Sequence, residues 1–181
     1  MGLIWIIAAA FWGVAEATLF FIVPDVLLTA AVIRFGFRRA LLLAVVAAGS
    51  AALAGLAMWA WGQGDADAAH RVMLMVPAIG PDLLARAHDE MASGWVMHLF
   101  TGAVTGLPYK LYAVEAGARG IDPLLFVLVS FVARLPRFLL SMVLAALGRE
   151  GLARIKKPNW AYPIWALGWT ALYAVYFTLR A

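Results

Sequence analysis

The chain has 181 residues, of which 65% are hydrophobic and 13% charged, with a formal net charge of +4 and a mean hydropathy of +0.90. This balance points to an integral membrane protein and leaves room for one domain of about four to six membrane segments. Nucleic acid is excluded as a partner, because the basic residues flank hydrophobic segments, where Lys and Arg mark the cytoplasmic side and meet anionic headgroups. Disulfides, thiolate metal sites and thiol redox chemistry are excluded by the lack of cysteine.

The first apolar stretch, residues 3 to 33, follows no positively charged n-region and is too long for a signal peptide, so it is expected to remain in the mature protein. It is too long for one ordinary span and too short for two crossings with a turn, which predicts a re-entrant helical hairpin turning near Pro24 and Asp25. Within it sits Glu16, a charge that costs a few kcal/mol at the bilayer centre and therefore marks a functional candidate. Residues 40 to 61 predict a transmembrane helix ending in Trp59 and Trp61, and residues 62 to 94 a polar extracytoplasmic loop. Pro81 there is placed to open a short amphipathic surface helix. Residues 95 to 118, broken by Gly102, Gly106 and Pro108, predict a second re-entrant hairpin. Residues 124 to 148 and 161 to 180 predict two further transmembrane helices, the first of them carrying Arg134, Pro136 and Arg137.

Loop charge supports this order. Arg34, Arg38 and Arg39 form one basic cluster, and Arg149, Arg154, Lys156 and Lys157 another. Both face the cytoplasm only if an even number of crossings separates them, which requires 95 to 118 to turn back. The expected fold is thus an all-α integral membrane protein with two opposed re-entrant hairpins, an inverted repeat, plus about three transmembrane helices. In such folds the half-helix ends meet near the midplane, and irregular backbone at that depth faces protein or a hydrated cavity.

The runs LPYKLYAVEAG at 107–117 and FVLVSFVARLPRFLL at 126–140 resemble the second half of DedA-family, VTT-domain membrane proteins. The Pro108-Tyr109-Lys110 sequence is most similar to the small YqaA-like branch. In the first half, EATLFFIVPD at 16–25 resembles the family's Glu and downstream proline segment, and GSAALAGLAMWAWGQG at 49–64 its small-residue helix. The resemblance implies the double-hairpin fold, a multi-pass place in the bacterial cytoplasmic (inner) membrane, and lipid translocation, including flipping of undecaprenyl phosphate, with dependence on proton motive force. It carries important acidic residues onto Glu16 and Asp25 and embedded arginines onto Arg134 and Arg137. The chain departs from larger members in reading Pro24-Asp25-Val26 and in placing Lys110 where they place arginine.

The chemistry of these residues suits an anionic lipid headgroup. Lys110, Arg134 and Arg137 supply cationic donors, and Arg binds phosphate through two parallel hydrogen bonds. Arg134 and Arg137 are three apart and share a helix face, while Pro136 between them is expected to kink that helix. A Glu16 carboxylate alternating between Arg134 and a proton would couple transport to protons. Each residue also has a plainer reading: a structural ion pair for Glu16 and Arg134, a helix-end residue for Asp25, an interface-reaching amine for Lys110, and a headgroup contact for Arg137. Glu115 and Arg119 are expected to be solvated. His70, His88 and His98 match no metal-ligand spacing, so no metal and no cofactor is expected. No hydroxyl is spaced with a histidine in the membrane segments as a nucleophile needs, so no enzyme activity is expected. The alternative to transport is a structural or membrane-homeostasis role, and the sequence leaves the oligomeric state open.

Overall fold

The computed structural model describes residues 2–178, with the side chains of residues 103 and 104 set aside. Residues 179 and 180, the end of the last expected span, lie outside the described residues. The described chain is all helical.

Helices α1 (Leu3–Ala17) and α2 (Asp25–Phe35) are separated by an irregular stretch. Pro24 precedes the first residue of α2, where its fixed φ and missing N–H are harmless. The Trp12 indole donates to the Ile22 carbonyl at 2.9 Å, tying the irregular stretch back onto α1. At the other end Trp5 meets Phe35 edge to face, 5.1 Å between ring centres. The pair therefore doubles back as a hairpin, with both outer ends together.

Gly36, at φ +85°, makes the reversal into α3 (Phe37–Met73), a helix of 37 residues with non-helical backbone at Asp65. The helix expected to end near residue 61 thus runs about one turn further, breaks at Asp65, and is followed by a second helical stretch to Met73 that opens with the Ala68 N–H donating to Asp65 Oδ1 at 2.9 Å. Helix α4 (Pro81–Ala92) opens on Pro81 as expected, but it is not a free surface helix. Its apolar face, Leu83, Ala87 and Met91, is buried in the same cluster as Leu111, Tyr112 and Val114.

Helices α5 (Trp95–Thr105) and α6 (Tyr109–Ala118) form the second helix-break-helix unit. Gly106 ends α5 in the left-handed region at φ +81°, and Pro108 stands before the first residue of α6. Asp122 caps α7 (Pro123–Arg154), accepting from the Leu125 N–H at 2.7 Å. This helix stays helical through Pro136, whose missing N–H leaves the Val132 carbonyl without its helical partner. A short 3₁₀ turn, Pro158–Trp160, leads into α8 (Ala161–Thr178).

Two helices, α3 and α7, are long and apolar enough to cross a membrane. The 18-residue α8, rich in Trp and Tyr, is not one of them. Large apolar side chains lie open along the outside, among them Ile4 at 74%, Phe11 at 72% and Leu167 at 71% exposure, which water would penalise and lipid would not.

Both hairpins lean on α3 through small residues. A methyl group at Gly62 would collide with the Val114 backbone, and one at Gly117 with the Trp59 backbone, so α3 and α6 approach as closely as two helices can. Helix α7 runs antiparallel to α3, with Trp59 donating to the Ile121 carbonyl at 2.9 Å near its start. Near its end, the Arg149 guanidinium lies 3.6 Å from the point where a side chain at Gly36 would begin. The two basic clusters therefore sit at one end of the molecule. Two apolar clusters fill the interior, one around α4 and α6 and one around α2 and the first half of α3. Arg134 and Arg137 fall between Ala133 of the first and Phe138 of the second, at the level where one gives way to the other.

Candidate functional site

Both helix breaks open onto one cavity of about 350 Å³. The first supplies Glu16, Phe20 and Asp25, the second Leu107, Pro108 and Lys110, and α7 supplies Arg134 and Arg137. All five ionisable residues singled out in the sequence, from three separate segments, are thus brought together.

The charges are paired across the fold. Arg134 donates from Nη1 to Glu16 Oε2 at 2.8 Å, and Arg137 from Nη2 to Asp25 Oδ2 at 2.5 Å. Lys110 donates from Nζ to the Phe20 carbonyl at 2.6 Å, so the second hairpin holds the tip of the first. The Arg134 guanidinium also lies over the Tyr109 ring, 4.0 Å from its centre, a cation–π contact that strengthens away from water. Glu16, Asp25, Lys110 and Arg134 are all buried.

Two features bias the cavity toward an anion. Three cations, Lys110, Arg134 and Arg137, stand against two carboxylates, Glu16 and Asp25, leaving one positive charge in excess. Arg134 keeps Nε and Nη2 buried without a hydrogen-bond partner among the described residues. A buried guanidinium with unspent donors is costly unless something accepts from it. The N-termini of α2 and α6 open at the same place and add the positive ends of their dipoles. Asp25 in the first turn of α2 answers one of these, whereas Lys110 in the first turn of α6 adds to the other.

Several residues here escaped the sequence reading. Glu115, expected to be solvated, is 2% exposed. Its two carboxylate oxygens lie 2.9 Å from His70 Nε2 and 3.1 Å from His88 Nδ1, and Arg119 Nε is 3.5 Å away. The signal was available: residues 109–117 form a helix with no polar face, which must be buried all round. Among the described residues no group of His, Asp and Glu has the arrangement of a metal site. Next to this cluster, Tyr112 donates to Glu90, and Arg86 holds the other oxygen of the same carboxylate at 2.6 Å. Burial works against the charged form of Glu90, but these donors outweigh it and hold the carboxyl below its ordinary range. Helix α8 was expected only as a span, yet its aromatic side chains wall the cavity. Trp165 and Trp169 both donate to Thr29 Oγ1, at 2.9 and 3.1 Å, and Tyr173 accepts from the Val23 N–H at 2.8 Å.

No family model matches the chain, and no solved structure matches it. A protein of Haemophilus influenzae, described only as uncharacterized, is 32% identical over 102 residues, covering 52% of this chain and 51% of its own length. The chain thus spans about half the length of the curated relative it matches. That likeness brings no activity with it, and the DedA resemblance rests on the motifs alone.

Proposed function

We propose that this chain is a DedA-type transporter of the bacterial inner membrane that moves an anionic lipid, such as undecaprenyl phosphate or a phospholipid, across the bilayer. In this reading the two helix-break-helix units are re-entrant hairpins entering from opposite faces, and α3, α7 and α8 are the flanking multi-pass helices. The headgroup binds Arg134, Arg137 and Lys110, and a proton on Glu16 competes with the Glu16–Arg134 pair, coupling release to protons. The observation that carries the reading is the pair of unpartnered Arg134 donors in a cavity with one excess positive charge. Phosphate offers two oxygens that can accept from the two free N–H edges of one guanidinium in parallel, the planar geometry that Arg is shaped to match. Transport rather than catalysis is favoured because no histidine lines this cavity among the described residues, which leaves Ser130 and the tyrosines without a general base of that kind.

The structural alternative draws on the same pairs: Glu16–Arg134 and Asp25–Arg137 pin the first hairpin to α7. Proteoliposomes separate the two. Translocation of a fluorescent phospholipid and of undecaprenyl phosphate, with and without a pH gradient, should be fast with the intact protein and lost in Arg134→Ala. Arg134→Lys should recover part of it, since a point charge cannot reproduce bidentate contacts. A folded Glu16→Gln, Arg134→Gln double variant that still moves lipid at the normal rate would end the transport reading. Cysteines placed near residues 37 and 155 should both label from the cytoplasm and one near residue 68 from outside; opposite sidedness for the first two would remove the double-hairpin topology.

A further inference from the structure

Behind the α8 wall of the charged cavity lies a second hollow of about 410 Å³, an apolar groove between α2, α7 and α8 that includes Leu144, Gly148, Ile164 and Gly168. At one end it shares Trp169 and Leu172 with the charged cavity. At the other it shares Ile33, Arg149 and Ala161 with a polar vestibule of about 540 Å³ that adds Glu150, Asn159 and Tyr162. The three hollows therefore adjoin one another across shared side chains, in the order vestibule, apolar groove, charged cavity.

We propose that the groove is a lipid-loading site holding one hydrocarbon chain of an anionic lipid from the leaflet on the Arg149 side, with the phosphate on Arg149 and the chain end at Trp169. The inference rests on the transport reading for the role of the neighbouring cavity, but not for binding itself. Three observations fix the occupant. Along α7 the groove is lined from Ser141 to Leu152, eleven residues or roughly 16 Å of helix, close to half of the roughly 30 Å hydrocarbon thickness. Arg149 makes no salt bridge among the described residues, whereas Arg134 and Arg137 are already matched with carboxylates. A headgroup on Arg149 also lets the chain run from interface toward midplane, as every lipid chain in that leaflet does. Glu150 is the one carboxylate in the vestibule, and it makes a second negative headgroup unwelcome. The wall is held in place before any lipid arrives, because Trp165 and Trp169 are both bonded to Thr29 Oγ1, which itself donates to the Asp25 carbonyl at 2.6 Å.

The indoles of Trp165 and Trp169 report directly on occupancy. The full chain would be placed in phosphatidylcholine liposomes containing a minor fraction of phosphatidic acid, with bromine on the acyl chains of one lipid or the other. Quenching of these two indoles is obtained as the difference from the Trp165→Phe, Trp169→Phe variant. One cation at a membrane surface enriches an anionic lipid about fivefold, so brominated phosphatidic acid should quench about fivefold more strongly, mole for mole, than brominated phosphatidylcholine. Arg149→Ala should bring the ratio to one. Gly148→Leu with Gly168→Leu fills the groove at two positions where an added side chain meets open space, so the protein should fold and quenching by both lipids should fall. Equal quenching by the two lipids in the unaltered protein, or quenching unchanged in the filled variant, would overturn the proposal. Arg134→Ala tells the two readings apart: it should stop translocation and leave the quenching ratio intact. An unaltered protein that shows the ratio but moves no lipid would defeat the transport reading and leave the loading site standing.

Discussion

The two hairpins are built on one plan and live in different surroundings. The first turns Leu3, Ile4, Ile7 and Phe11 outward and is held to α7 by ion pairs at its tip. In the second, residues 109–117 of α6 are buried on every side, and α4 closes over it through Tyr112, Glu90 and Arg86. The first hairpin is thus pinned by charge at its tip and turns an apolar face outward, and α6 of the second is enclosed on every side, although both meet α3 closely, at Gly13 and at Gly117. Ion pairs exchange partners when a competing anion or proton arrives, whereas backbone contact of the Gly62 and Gly117 kind cannot loosen by degrees. The part of the site open to such exchange is the tip that carries the carboxylates.

Substitutions at matching places should break this contrast or sharpen it. The largest effect is expected at the tip of the first hairpin, where Arg134→Ala strands the buried Glu16 and should cost about 3–5 kcal/mol of stability in a detergent unfolding titration. Neutralising both partners, Glu16→Gln with Arg134→Gln, should restore most of it. Failure to recover would mean that the pair is not coupled as drawn.

Next comes a comparison of equivalent apolar truncations. Leu111→Ala in the buried α6 should lose about 2–5 kcal/mol, while Ile7→Ala on the open face of α1 should stay within about 0.5 kcal/mol. Equal losses would show that the first hairpin is covered by a partner.

The smallest effect concerns the clasp of α4. Tyr112→Phe should cost about 1.5 kcal/mol, as expected for a hydrogen bond to a charged acceptor. Glu90 has a carboxyl held below its ordinary value in the folded protein, so its contribution is fully present above the unfolded value. It should be lost as pH falls through the lower folded one. Unfolding measured as a function of pH in the acid range should therefore steepen less in Glu90→Gln than in the unaltered protein. An unchanged acid limb would remove Glu90 from the clasp.

How much of this was legible in the sequence follows from which forces act locally. Pro24 and Pro108 each stand just before a helix start, where proline is suited by its own geometry, so both breaks could be placed nearby without any knowledge of the fold, although α1 ends seven residues before Pro24. Glu16, Asp25, Lys110, Arg134 and Arg137 stood out because a charge in an apolar run needs a partner, and the structure shows the partners. The break at Asp65 lies about one turn past the end that hydropathy marks near residue 61, and the helical stretch beyond it was not foreseen. Residues 62–73 are polar but rich in Ala and compatible with helix. The inner face of α4 was hidden because its burial is produced by α4 folding back over α6, a tertiary event that leaves no local trace, whereas the burial of Glu115 could have been read from the lack of a polar face along 109–117. The part that the α8 aromatic residues play at the cavity was not foreseen, since nothing near them in the chain discloses that Thr29 collects two indoles.

The meeting of Gly62 with the Val114 backbone, and of Gly117 with Trp59, has a consequence for recognising kin. Charged residues in a transport site can be retuned when the cargo changes, and apolar ones drift freely against lipid. A backbone contact that leaves no space for a methyl group allows neither. A distant descendant of this fold should therefore have altered its cations before its glycines, and two small residues facing each other across the third and sixth helices would identify it after the charges of the cavity had changed.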